Sequence, residues 1–123
     1  MGRTRKDLGE KAESLAVEFL EKLGYRIVCR NYRCLLGEVD LIALHKRVIV
    51  FVEVRSRSGE KFGSPLESVG HKKQRQVARV ALNFLSEKRL HGRDARFDVV
   101  GITWDRGSPH IDHVQHAFDL PAG

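Results

Sequence analysis

Cysteine, proline and methionine are scarce: two, three and one in 123 residues. No apolar run approaches the ~18–20 residues that a membrane span needs. Cys29 and Cys34 lack metal-type spacing and are too few for a disulfide scaffold, so they read as reduced thiols of a cytoplasmic protein. Eleven glycines without a repeat exclude a collagen-like chain, and 41% hydrophobic residues exclude disorder. The basic start, Met1 to Lys6, is followed by an acidic amphipathic stretch where a signal peptide would have its apolar core. What remains is one domain over 1–123, with 1–6 as a flexible basic tail and no membrane partner.

Charge is present in quantity and unevenly placed. Lysine and arginine number 22 against 16 acids, a net charge of +6. From Asp7 to Leu23 five acids face two lysines; from Gly70 to Arg93 seven basic residues face the single acid Glu87. The second segment, with Lys72, Lys73, Arg75 and Arg79, fits a polyanion such as nucleic acid, although a solvated helix face explains the charge equally well.

The hydrophobic pattern predicts an α/β chain. Leu8, Ala12, Leu15, Ala16, Phe19 and Leu23 form a helical stripe over 7–23, with Asp7 and Glu10 as a capping pair and Gly24 as the stop. Strands are expected at 25–31, 38–44, 48–55 and 95–104, with a short fifth around 111–118. A second helix, 67–88, carries Val77, Ala81 and Phe84. In the third strand Val48, Val50, Val52 and Val54 take one face and Ile49 and Phe51 the other, so helices must cover the sheet on both sides. The expected architecture is a helix–sheet–helix sandwich.

Acids are out of place in the middle of such a sheet, yet Asp40 and Glu53 fall there. A two-residue turn at His45-Lys46 or Lys46-Arg47 makes paired positions sum to an odd number. Both acids then share a face, opposite at roughly 5 Å between Cβ atoms or one diagonal step apart. A three-residue turn would separate them. Two carboxylates this close suit one hard cation. Alternation adds Glu38 and Arg55 to the same face. A salt bridge from Arg55 to either acid is the simplest account, but it leaves one carboxylate crowding another.

Gly37-Glu38-Val39-Asp40-Leu41-Ile42-Ala43 and Val50-Phe51-Val52-Glu53-Val54-Arg55-Ser56-Arg57 together resemble the YraN-like family of small bacterial proteins. The likeness extends to Gly9, Glu13, Ala16 and Leu20, to Asn31-Tyr32-Arg33, to Lys73-Gln74 and to Arg96-Phe97-Asp98-Val99-Val100. That family is similar to restriction-endonuclease-like nucleases and Holliday-junction resolvases. The resemblance implies that superfamily's mixed sheet with an αβββαβ core, and its pattern of a helical acid, an aspartate and Glu-x-Lys. Carried over, these are Glu13, Asp40 and Glu53-Val54-Arg55. It implies a nuclease acting on DNA more than RNA, branched DNA included. Asp40, Glu53 and the Val54 carbonyl would hold Mg²⁺ or Mn²⁺. Lys73 and Gln74, four and three residues before Val77, extend the second helix's stripe and are expected to line the site, although a partly exposed helix start explains them equally well. A homodimer is also implied, since a symmetric junction suits a two-fold protein.

Val39 replaces the proline that many relatives have before the aspartate, and Arg55 replaces the usual lysine. Arginine can neutralise phosphate charge but does not readily give up a proton, which removes a general-base role. The alternatives are a nucleic-acid-binding protein of weak or no catalysis on the same fold, and an adaptor for an acidic protein. Glu13 flanks the apolar stripe, so a solvated acid is equally consistent with its position. His110, His113 and His116 fall on alternating faces of a strand, which argues against a zinc site. Gly59, Gly63 and Pro65 form a loop bordering the site without phosphate-loop spacing.

Overall fold

A computed structural model describes residues 5–58 and 65–119. Helix α1 (Arg5–Lys22) leads into β1 (Arg26–Cys34), β2 (Gly37–His45) and β3 (Val48–Ser58). A 3₁₀ turn (Pro65–Ser68) precedes α2 (His71–Glu87), β4 (Ala95–Asp105) and β5 (Ser108–Phe118). The strands lie side by side in chain order. β3 and β4 are parallel and the other neighbours antiparallel, so α2 serves as the crossover. This is the helix-covered sheet that the valine pattern requires, and it is mixed as the family resemblance implies.

Each helix seals one face. Ala12, Ala16 and Leu20 of α1 pack on Leu41, Ala43, Val50, Val52, Val100 and Ile102. Val77, Val80, Ala81, Phe84 and Leu85 of α2 pack on Val39, Ile42, Ile49, Phe51 and Phe97. Phe51 meets Phe84 edge-on at 5.9 Å and Phe97 at 5.6 Å between centroids, geometries that aromatic rings favour.

Several expected boundaries move. Among the described residues α1 already includes Arg5 and Lys6, which are helical, and Asp7 lies within the helix; residues 1–4 lie outside the described residues. Leu20 closes the α1 stripe in place of Leu23, which lies past the helix end and is exposed. Glu67 belongs to the 3₁₀ turn, and Gly70, extended at φ −69° and ψ 167°, breaks the chain before α2 begins. Gly59 and Gly63 lie outside the described residues, while Pro65 opens the 3₁₀ turn.

The β2–β3 turn is Lys46-Arg47, flanked by the pair His45↔Val48. Both turn residues are left-handed, at φ 49° and 70°, as a two-residue turn with the sheet's own twist demands. The resulting register pairs positions that sum to 93, Leu41 with Val52 among them.

At the sheet end near that turn lies a polar cluster. Asp98 is fully buried on β4. It accepts hydrogen bonds from Tyr25 Oη (2.8 Å), Arg96 Nε (3.0 Å) and the His116 amide (3.2 Å), and it meets His113 Nε2 at 2.8 Å. The β4–β5 register shifts between Phe97 and Val99, and the Asp98 carboxylate fills that break. The ring of His45 stacks on Tyr25 at 4.1 Å and contacts Arg96 at 3.0 Å. The three histidines of β5 part company as the alternation predicts: His113 is buried, whereas His110 and His116 are exposed.

Burial alone would raise the Asp98 pKa, but the bonds from His113, Arg96, Tyr25 and the His116 amide outweigh it and hold the carboxyl low. Its contribution to stability is therefore complete above its unfolded pKa of about 4 and is lost as pH falls through the lower folded value. Asp98→Ala, which leaves the Arg96 guanidinium without its carboxylate, should cost about 3–5 kcal/mol. Asp98→Asn should flatten the acid limb of the stability curve. Thermal melts from neutral pH down to about pH 2 check both.

Candidate active site

The regular β2–β3 ladder ends at Leu41↔Val52, and one step further on two carboxylates replace backbone partners. The Asp40 amide donates to Glu53 Oε2 at 3.2 Å, and the Val54 amide donates to Asp40 Oδ2 at 2.8 Å. Each acid thus satisfies an amide on the opposite strand that separation would otherwise leave orphaned. These two bonds make the acids neighbours, as the two-residue turn implies, but past the last ladder pair they do not share one regular face: Asp40 lines a cleft on the α1 side, whereas Glu53 meets Lys73 of α2.

Strand alternation is reset at the same point. Leu41 packs on the α1 side, yet Val39, two residues earlier, packs on the α2 side with Tyr32. The matching irregularity on β1 is Asn31, left-handed at φ 54°, a conformation that asparagine tolerates better than most residues. Asn31 and Asp40 consequently join Glu13, Arg33, Val54 and Ser56 around an open cleft of about 330 Å³ under the start of α1. Glu53, 2% exposed, lies behind Asp40, with Lys73 Nζ of α2 at 3.5 Å and Arg55 Nη2 at 3.8 Å from its Oε1.

Burial, then the neighbouring Asp40 charge, pushes the Glu53 pKa up to about 7, with Lys73 and Arg55 offsetting part of the rise. Burial also raises Asp40; the Val54 amide, Arg55 and Lys73 oppose this, and Glu13 adds to it. The cations therefore neutralise the pair incompletely. Among the described residues, Arg55 Nε is buried with no hydrogen-bond partner.

Four expected residues converge here: Asp40, Glu53, Arg55 and Lys73. Glu13 lines the cleft beside Asp40, its Oε1 held at 3.0 Å by both Arg30 Nε and Asn31 Nδ2. Glu38 does not join the acids: past the reset of alternation, it pairs with Arg33 at 2.9 Å in solvent. Gln74 turns away as well, donating to the Val69 carbonyl at 2.9 Å, because α2 begins at His71 and places Gln74 in the first turn. Its expected place beside Lys73 belongs to Gln76, which accepts from Lys73 Nζ at 3.2 Å. Lys72, Arg75 and Arg79 are exposed along α2. Asn31 and Arg33 entered the sequence analysis only through the family likeness and were not assigned to the site, and Gln76 was not named; the tolerance of asparagine for φ > 0 was the available cue for Asn31.

Among the described residues no three histidine, cysteine, aspartate or glutamate side chains converge as a ready ligand set. Asp40 and Glu53 are nevertheless hard oxygen donors under mutual repulsion, which a cation relieves, so the residues present fit a weakly held divalent ion whose shell needs outside oxygens.

A raised folded pKa favours the neutral acid. The Glu53 contribution to stability is complete below its unfolded pKa of about 4.5 and is lost as pH rises through about 7. Glu53→Gln should melt near wild type in acid and progressively above it across that window, which melts at matched ionic strength would read.

Comparison with known proteins now bears on this geometry. No helix among the described residues is long and apolar enough to cross a membrane. The family model described as "Uncharacterised protein family UPF0102" matches residues 12–102, a span that holds both acids and Arg55. A UPF0102 protein of Geobacter metallireducens is 44% identical over 120 residues, covering 98% of both chains. One from Geotalea uraniireducens is 48% identical over 116 residues, covering 94% of this chain and 91% of its own. A solved structure of Pyrococcus furiosus SfsA in complex with Ca²⁺ aligns with a TM-score of 0.34 at 16% identity, over 82% of this chain and 58% of that one. The chain belongs to the UPF0102, or YraN-like, family, part of the restriction-endonuclease-like superfamily.

Proposed function

We propose that this protein is a metal-dependent nuclease hydrolysing phosphodiester bonds in DNA. The observation that carries the reading is the buried, incompletely neutralised pair Asp40 and Glu53 beside a guanidinium with an unmet donor. A purely structural salt bridge would satisfy both partners, whereas here Arg55 stands 3.8 Å from Glu53 with Nε unused.

Asp40, Glu53 and the Val54 carbonyl would hold Mg²⁺ or Mn²⁺. When bound, the ion supplies a lowered water pKa and charge neutralisation at the scissile phosphate. Lys73 favours the ionised form of Glu53 and so keeps that ligand available at neutral pH. Arg55 donates to a phosphate oxygen as negative charge builds on it. Arg30 and Asn31 fix one oxygen of Glu13, and its other oxygen would accept a hydrogen bond from a water entering the cleft. Lys72, Arg75 and Arg79 bind the phosphate backbone, giving affinity that falls steeply with salt. A second reading, binding without catalysis, draws support from the absence of a third converging ligand among the described residues.

Cleavage assays on linear, single-stranded, forked and four-way-junction DNA with Mg²⁺ or Mn²⁺ separate the two. Activity is expected with Asp40→Asn inert, Arg55→Lys largely active and Arg55→Ala reduced about 10²–10³-fold. Because bound protons compete with the ion, Mn²⁺ should raise the melting temperature more above pH 7 than below it, and not at all in Asp40→Asn. A wild type inactive on every substrate with both ions, yet binding DNA, establishes the second reading; absence of DNA binding at low salt overturns both.

A further inference from the structure

Two adjacent leucines occupy the turn of the β1–β2 hairpin. Leu35 and Leu36 lie between the pair Cys34↔Gly37, with Leu35 fully exposed and Leu36 47% exposed. Other exposed apolar residues, such as Leu23, Val28 and Leu82, stand singly, which is ordinary for a protein surface. A contiguous pair at a turn is different. Two-residue turns favour glycine, asparagine, aspartate and proline for conformational reasons, and leucine brings no such benefit. Burial does not explain the pair either, since neither side chain enters either core cluster.

The turn stands where the site meets the basic helix. Gly37 lies against α2 so closely that a Cβ there would fall 2.7 Å from the Gln76 side-chain nitrogen. Lys72 and Arg79, four residues before and three after Gln76, share its face of the helix and are exposed. On the other flank Arg33, three-quarters exposed and paired with the exposed Glu38 at 2.9 Å, reaches the cleft that holds Asp40. An apolar tip is therefore bracketed by cations on one side and by the acid site on the other. From Leu36 to Asp40 the strand rise gives about 13 Å, the length of about four stacked base pairs.

We propose that Leu35 and Leu36 form a wedge that enters the base stack of DNA where the strands part, while Lys72, Arg79 and Arg33 hold the flanking phosphates. Apolar side chains inserted at a base step replace stacking with protein contact, and a branch point is where unstacking costs least. The inference rests on the proposed DNA reading and adds the substrate feature that the tip recognises: a junction between paired and splayed strands, about four base pairs from the phosphate cut at the acids.

The test uses the full chain, EDTA to prevent cutting, and a forked DNA duplex with 2-aminopurine at the branch, a base whose fluorescence rises on unstacking. Wild type is expected to raise the signal above that of free DNA. Leu35→Ser/Leu36→Ser should bind with the same affinity and salt slope yet lose the rise, and Leu35→Phe/Leu36→Phe should restore it. A bound wild type without the rise, or a serine variant that retains it, overturns the wedge and leaves the nuclease reading standing. No binding to any DNA at low salt overturns both. Sedimentation of the two proteins covers the other occupant: a wild-type dimer that becomes a monomer in the serine variant makes the tip an interface between copies and overturns the proposal.

Discussion

Where a strand parts from its neighbour inside a protein, its amides lose their partners, and each buried amide left unpaired costs about 1–3 kcal/mol. This sheet meets that constraint with carboxylates. Asp40 and Glu53 close the end of the β2–β3 ladder by accepting each other's strand amide, and Asp98 closes the break between β4 and β5 by accepting from His116. Both acid centres of the molecule are thus products of sheet geometry.

The two centres diverge in what surrounds the carboxylate. Asp98 is matched by Arg96, Tyr25 and His113 as well as an amide, and its charge is held firmly. Asp40 and Glu53 face each other with cations at 3.5 and 3.8 Å, and burial keeps both raised. One is a saturated network that fastens β5 to the body of the sheet; the other is left poised for something cationic. The same backbone device gives rigidity at one place and unmet electrostatic demand at the other.

Much of this was legible in the residues. The double-sided apolar run Val48 to Val54 required covering helices, and parity alone made Asp40 and Glu53 neighbours, which the two amide–carboxylate bonds bear out, although not on one shared face. Arg55 and Lys73 followed from strand and helix spacing. Illegible features came from departures from regularity. No glycine or proline announces the left-handed Asn31 that resets two strands, so Glu38 was assigned to the wrong company. Gly70 delays α2 by four residues relative to the hydrophobic pattern, and Gln76 takes the place expected of Gln74. The Asp98 network joins Tyr25 to a residue 73 positions away, a distance over which periodicity carries no information.

Strand order that follows chain order has a consequence for how the protein comes to be. The contacts between β1, β2 and β3 close short loops, whereas β4 must find β3 across the α2 crossover, with Val50 paired to Arg96. Closure entropy grows with loop length, so the parallel pairing is expected to form more slowly than the hairpins. Glu13, Asp40, Glu53 and Arg55 all precede α2 in the chain. On that expectation the mutually repelling carboxylates should meet while still hydrated, with α2 and Lys73 burying them afterwards.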